Sequence, residues 1–255
     1  MYALETRKRA LTLVSQGRSL NSVSREMGIS RHAISTWLIR IAPIPRSPAC
    51  VRCAPTPEPP PDGAAYAYVL GLYLGDGHVM SKPRQHHLTI TCADAWPGLI
   101  DEAEAGISRV MPSAAISRRQ KQGCTDVKSF SIHWACLLPQ HGPGKKHDRD
   151  IRLEAWQRAI VDTYPWEFIR GLVHSDGCRI TNWTTRVVAG ERKRYEYPRY
   201  FFTNKSADIR RLYAETLDKV GVEWRAVRRG SETLNISVAR RASVALMDKH
   251  IGPKY

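Results

Sequence analysis

Val69-Leu70-Gly71-Leu72-Tyr73-Leu74-Gly75-Asp76-Gly77 returns, a hundred positions later, as Ile169-Arg170-Gly171-Leu172-Val173-His174-Ser175-Asp176-Gly177. Each is an apolar run of helical character with two small residues four apart, closing on Asp-Gly. Residues four apart share a helix face, so Gly71 with Gly75, and Gly171 with Ser175, make stripes along which two backbones can approach closely. The Asp-Gly pair stops each helix, with the glycine expected in the left-handed conformation of a C-cap, and leaves a carboxylate at the tip. Packed side by side, the helices bring Asp76 and Asp176 together at the negative ends of two helix dipoles. Such carboxylates repel each other unless a cation sits between them, and hard oxygen donors suit Mg²⁺ (or Mn²⁺). A single segment of this kind is an ordinary buried helix ending in a turn; two copies in matching contexts argue for a duplicated architecture.

The two segments resemble the motif of the LAGLIDADG homing endonucleases, and the resemblance covers roughly residues 64–255. It implies an α+β fold of two αββαββα halves, related by a pseudo-twofold axis, with the motif helices at their interface. It also implies that Asp76 and Asp176, the last acidic residue of each motif, bind the catalytic divalent metals. Leu74 and His174 vary the sixth motif position.

Composition agrees with a globular, nucleic-acid-binding chain. The 255 residues are 42% hydrophobic, enough for one large domain and a small one, and 39 Lys and Arg against 24 Asp and Glu give a net charge of +15. That excess favours a polyanion, double-stranded DNA before a membrane. No segment approaches a membrane-spanning apolar run and the start lacks a signal-peptide core, so the expectation is a cytoplasmic protein. It is also expected to be a free-standing enzyme rather than an intein, because it opens on Met1 and closes on Gly252-Pro253-Lys254-Tyr255. Six cysteines are too few for a disulfide framework. Cys50-Val51-Arg52-Cys53 has the spacing of half a zinc site, but no second Cys-x-x-Cys or His-x₃-His accompanies it. Two free thiols in a linker are the favoured reading, against zinc.

Eight of the sixteen prolines stand between Pro43 and Pro61, marking a semi-rigid linker over 43–63. Ahead of it, residues 1–42 read as three short helices. Glu5–Gln16 is stopped by Gly17, Ser19 caps Leu20–Met27, and a third helix follows the Gly28-Ile29-Ser30 turn. Ala33, Ile34, Trp37 and Leu38 face the core of this module, and Arg31, His32, Ser35 and Thr36 face outward. The module resembles a helix-turn-helix, which implies DNA contact through that outward face.

Between the motifs and after them, the periodicity follows one order twice, in a first half over 64–147 and a second over 148–255. Strands are expected at His87–Cys92, Ala114–Gln120 and Val127–Ile132 around a helix at Gly98–Val110. They are expected again at Arg179–Thr185, Tyr197–Thr203, Trp224–Arg228 and Leu234–Val238 around a helix at Ala207–Val220. Thr185–Pro198 reads as a basic excursion. The halves also end alike, in Gly142-Pro143 and Gly252-Pro253. Because one chain supplies both halves, a monomer is expected.

Sheets that cover their own helices turn their other face outward, and here that face would offer Arg118, Arg119, Gln120, Asn182, Arg225, Arg229, Asn235 and Ser237 to the major groove. Hydrolysis of a phosphodiester needs an activated water, a Lewis acid and charge neutralisation, which metals at Asp76 and Asp176 would supply. The resemblance adds a basic residue near each scissile phosphate. Lys121 and either Arg228 or Arg229 are the candidates by strand position. The favoured function is a sequence-specific, metal-dependent DNA endonuclease. The rival is a DNA-binding transcriptional regulator that keeps this fold without cleaving.

Overall fold

The computed structural model describes residues 2–41, 50, 53, 58–82, 85–229 and 232–255, and the chain divides into two compact units at Ala49/Cys50. Most of the proline-rich stretch read as a linker lies outside the described residues.

The described residues of the first unit form three helices, α1 (Leu4–Ser15), α2 (Leu20–Met27) and α3 (Arg31–Ile39). Ser19 and Ser30 cap α2 and α3 by accepting from the N–H groups of Ser22 and Ala33, and Gly28 takes φ +66° to turn between them. Ala10, Val23, Ile29, Ile34 and Trp37 form its core. Leu38, expected in that core, is instead exposed. Three short helices enclose a single seam, and Ile34 and Trp37, three residues apart, occupy it.

In the second unit the order is α4 (Gly63–Asp76), β1 (Gly77–Lys82), β2 (Gln85–Ala93), α5 (Pro97–Val110), β3 (Ala115–Lys121), β4 (Cys124–Phe130) and α6 (Trp134–Leu137). It continues with α7 (Ala155–Thr163), α8 (Pro165–Asp176), β5 (Gly177–Val188), β6 (Glu191–Thr203), α9 (Ala207–Lys219), β7 (Arg225–Arg229), β8 (Glu232–Val238) and α10 (Arg241–His250). The fold is α+β. Its two antiparallel sheets have the same topology, β1-β2-β4-β3 and β5-β6-β8-β7, so the duplication seen in the motifs extends to the sheets.

Helix α4 is apolar on every side, and it is buried from Ala65 to Leu74. It packs on α8, and both helices lie within one continuous core that includes Leu88, Ile90 and Val127 of the first sheet and Tyr200, Phe202 and Ile236 of the second. Helix α7 was not anticipated. It carries Gln157, a fully buried amide whose Oε1 accepts from the Glu154 N–H at 2.9 Å and from Gln140 Nε2 at 2.6 Å, while its Nε2 donates to the Tyr66 hydroxyl at 2.7 Å. Such a group is tolerated in a core because its donors and acceptor are satisfied.

Thr185–Pro198, read as an excursion, is regular strand: β5 and β6 run as one hairpin to a two-residue turn at Ala189-Gly190, with φ +54° and +84°. The tip is exposed on both faces, so no buried side imprints a period of two on its sequence.

Candidate functional site

The motif helices meet through their small residues. A Cβ at Gly71 would stand 2.6 Å from the Phe168 carbonyl oxygen, one at Gly171 would stand 2.2 Å from that of Tyr68, and one at Gly75 would overlap Ser175. Only glycine permits this approach. Beside the contact, the Tyr68 hydroxyl lies 3.0 Å from His174 Nδ1, and Glu102 pairs with Arg170 at 2.8 Å. Burial drives the His174 pKa down to about 4, so its imidazole is neutral at pH 7.

Asp76 and Asp176 are the last residues of α4 and α8. The left-handed caps expected at Gly77 and Gly177 are not there: both have extended backbone, with φ −89° and −100°, and each opens a strand. Glycine is required for a steric reason, since a Cβ would come within 2.3 Å of the Tyr73 Cα and 2.7 Å of the Val173 Cα.

The carboxylates lie close enough that Asp76 contributes, after burial, to raising the Asp176 pKa to about 6. Burial also raises that of Asp76, whose tip still reaches solvent. The Asn204 amide donates to Asp176 Oδ2 at 2.6 Å. Two lysines complete the group. Lys146 Nζ donates to the carbonyls of Tyr73, Gly75 and Gly77, the latter two at 2.6 and 2.9 Å, and Lys254 Nζ donates to that of Ser175 at 3.0 Å. Each ammonium therefore sits at the negative end of a motif helix. Burial lowers both lysine pKa values, that of Lys146 to about 8. Asp176 and Lys146 share a cleft of about 630 Å³ with His78, Arg149, Asn204 and Lys205, while Asp76 and Lys254 line a smaller one of about 90 Å³ with Thr91 and Cys92. The arrangement repeats the twofold pattern: each carboxylate lies by the end of its own half's second strand and by the terminal lysine of the other half. Two carboxylates and neighbouring carbonyl oxygens are a donor set suited to a hard divalent cation.

The two lysines escaped the sequence reading, although the signal was present in the Gly-Pro endings that precede Lys146 and Lys254. Lys121, the first-half candidate, is placed elsewhere: it stands at the end of β3 and pairs with buried Asp126 at 2.7 Å. Arg228 is exposed and lies opposite Thr233, beyond a register shift between Val227 and Arg228.

Among the expected DNA-facing residues, strand alternation divides the run on β3. Arg118 pairs across to core Val127, lies on the helix-bearing face and binds Asp101 and Glu104 of α5; Gln120 shares that face and donates to Asp94 at 2.7 Å. These two are corrected away from the outer face. Arg119 lies opposite Asp126, on the outer face with Lys121. In the second sheet Asn182, Arg225, Asn235 and Ser237 share the face opposite to Tyr200, Phe202 and Ile236, although Ser237 is buried there. The Arg229 side chain lies outside the described residues. Arg31, His32, Ser35 and Thr36 are all exposed on α3, with Arg31 donating to Asn21 at 3.0 Å. Cys50 and Cys53, read as free linker thiols, are corrected too: they stand beside His133 and Cys136.

Among solved structures, the chain is similar to the homing endonuclease I-DmoI in complex with DNA and Mn, at 13% identity and TM-score 0.48, over 76% of this chain and 98% of that one. It is also similar to the LAGLIDADG meganuclease I-AabMI bound to uncleaved DNA, at 11% identity and TM-score 0.46, over 72% and 84% of the two chains. A double mutant of I-SmaMI is similar at 9% identity and TM-score 0.46, over 71% and 81%. No protein-family model and no curated protein matches the chain. No helix among the described residues is long and apolar enough to cross a membrane.

Proposed function

We propose that the second unit is a site-specific DNA endonuclease of LAGLIDADG type, working as a monomer with a divalent metal, Mg²⁺ or Mn²⁺. The observation that carries this reading is the convergence of Asp76, Asp176, Lys146 and Lys254 at the ends of two helices in one core. Carboxylates crowded at two negative helix ends are poorly suited to a resting protein and well suited to holding cations. Asp76 and Asp176 would hold the metal, which when bound supplies a Lewis acid and an activated water. Lys146 and Lys254, rather than Lys121 and Arg228, take the role of neutralising charge that builds on each scissile phosphate. Arg149, whose buried Nε and one terminal nitrogen have no hydrogen-bond partner, lines the larger cleft and offers a second cation to a phosphate.

Sequence would be read by the outer sheet faces through Arg119, Asn182, Arg225 and Asn235, with Arg228 at the rim. The β5–β6 hairpin adds Arg186, Arg192, Lys193 and Arg194, the last over the exposed Trp183 ring at 5.0 Å. Cations beside an exposed aromatic suit a phosphate backbone and its bases. The first unit would add affinity through Arg31, His32, Ser35 and Thr36 of a helix-turn-helix. Incubating the full chain with a random-sequence duplex library and Mg²⁺, then sequencing both bound fragments and new ends, tests the reading. One recurrent cut site is expected. Enrichment of a bound site without ends would favour the non-cleaving regulator.

A further inference from the structure

Cys50, Cys53, His133 and Cys136 bring four ligand atoms within 4.8 Å of one another, and the four are buried or half-buried. Cys50 Sγ and Cys53 Sγ lie 3.5 and 3.2 Å from His133 Nδ1. Tetrahedral zinc, with bonds of about 2.3 Å to sulfur and about 2.0 Å to nitrogen, sets its ligand atoms about 3.5 to 3.8 Å apart. The two pairs, Cys-x-x-Cys and His-x-x-Cys, are also built alike. The Cys53 N–H donates to the Cys50 carbonyl at 3.0 Å and the Cys136 N–H to the His133 carbonyl at 2.9 Å, so each pair spans one turn.

The second pair is rigidly mounted. Trp134 between its members is fully buried and donates from Nε1 to the Ser129 hydroxyl at 3.1 Å, and the His133 N–H donates to the Ser131 hydroxyl at 3.1 Å. The first pair arrives from about eighty residues upstream. None of the three cysteines is in a disulfide. A disulfide would use two sulfurs and strand the third thiol and the imidazole, whereas one ion uses all four donors. Three thiolates and an imidazole select a soft or borderline tetrahedral metal over Mg²⁺.

We propose that Cys50, Cys53, His133 and Cys136 bind one Zn²⁺ in a closed, structural site that fastens the sequence just ahead of α4 to the segment following β4. The site has no open position for a water, so its role is to hold chain rather than to react. It is separate from the oxygen donors of Asp76 and Asp176 and independent of the nuclease reading.

The test is metal content and coordination in the full chain, purified reduced and without chelator. Elemental analysis should find one zinc per chain after dialysis. Cys53→Ser and Cys136→Ser should each lose it, while Cys124→Ser, outside the cluster, should keep it. Titrating Co²⁺ into wild-type protein stripped of metal should give thiolate-to-cobalt charge-transfer absorption and the intense visible bands of a tetrahedral site, which requires no variant to fold. Stripping should also lower the melting temperature by about 5 °C or more. A chain purified from zinc-supplemented cells that holds no zinc and gives no cobalt thiolate band would overturn the proposal. So would zinc retained by the Cys53→Ser, Cys136→Ser double variant, or a Cys50–Cys53 or Cys53–Cys136 disulfide in the isolated protein.

Discussion

Gly171 and Asp176 stand five positions apart on α8, and the first is fixed by sterics, the second by charge. Gly171→Ala would put a methyl 2.2 Å from the Tyr68 carbonyl in a fully packed contact. Backbone cannot yield as a flexible side chain can, so a loss of about 1–3 kcal/mol is expected in urea denaturation. A neutral result would mean that α4 and α8 are not in backbone contact. Asp176 should behave oppositely without metal. Its folded pKa of about 6 exceeds the ordinary 3.8, so the native state binds its proton more tightly and this group costs stability as pH rises from about 4 through 6. Asp176→Asn lacks that dependence. Compared with wild type in chelator at pH 7, the variant should be about 1 kcal/mol more stable, melting about 2–4 °C higher, and the difference should vanish near pH 4. Adding millimolar Mg²⁺ should then stabilise wild type more than the variant. Equal melting curves at both pH values would show that Asp176 is not under electrostatic stress.

At the scale of elements, the β5–β6 hairpin gives the clearest expectation. Replacing residues 184–195 with a two-residue Asn-Gly turn removes Arg186, Arg192, Lys193 and Arg194, together with Glu191, from a segment that packs on no core. The melting temperature should change little. DNA affinity should fall, and the slope of log affinity against log salt should become shallower by about 2 to 3, as when two to three phosphates are no longer neutralised by the protein. An unchanged slope would place the hairpin off the DNA. This hairpin also shows where the sequence was silent. Strands whose inward positions are apolar and buried, such as β2 with Leu88 and Ile90 and β8 with Ile236 and Val238, were legible, whereas the hairpin from Thr185 to Glu196 is exposed on both faces and was not. The motif helices were readable because burial on all sides and close approach leave only apolar and small residues admissible. Lys146 and Lys254 were not, because each follows an irregular segment and reaches its helix end through tertiary contact. The partners of Cys50 and Cys53 were missed for a related reason: His133-Trp134-Ala135-Cys136 does not repeat their residue types, and only folding joins the pairs. Alternation itself, applied strictly to β3, would have separated Arg118 and Gln120 from Arg119.

For the whole molecule, two units with separate cores predict separable contributions. A chain of residues 50–255 should fold and melt within about 3 °C of the second unit's transition in the full protein, since its core is complete without the first. It should bind DNA more weakly while keeping its site preference, measured by competition among library sequences. Complete loss of preference would make α3 the reader of sequence and favour the regulator. Each half brings its own carboxylate, and its terminal lysine, hydrogen-bonded to its own motif helix, lines the cleft of the other half's carboxylate. The most direct test is to assay wild type, Asp76→Asn, Asp176→Asn, Lys146→Met and Lys254→Met for binding and strand-resolved cleavage on the selected duplex with Mg²⁺. Wild type should cut both strands. Either aspartate variant should keep binding while cleavage falls by orders of magnitude, and each lysine variant should slow cutting by about 10²-fold or more, with nicked intermediate accumulating. A wild-type protein that binds its site and leaves it whole with both Mg²⁺ and Mn²⁺ would contradict the assignment as an endonuclease.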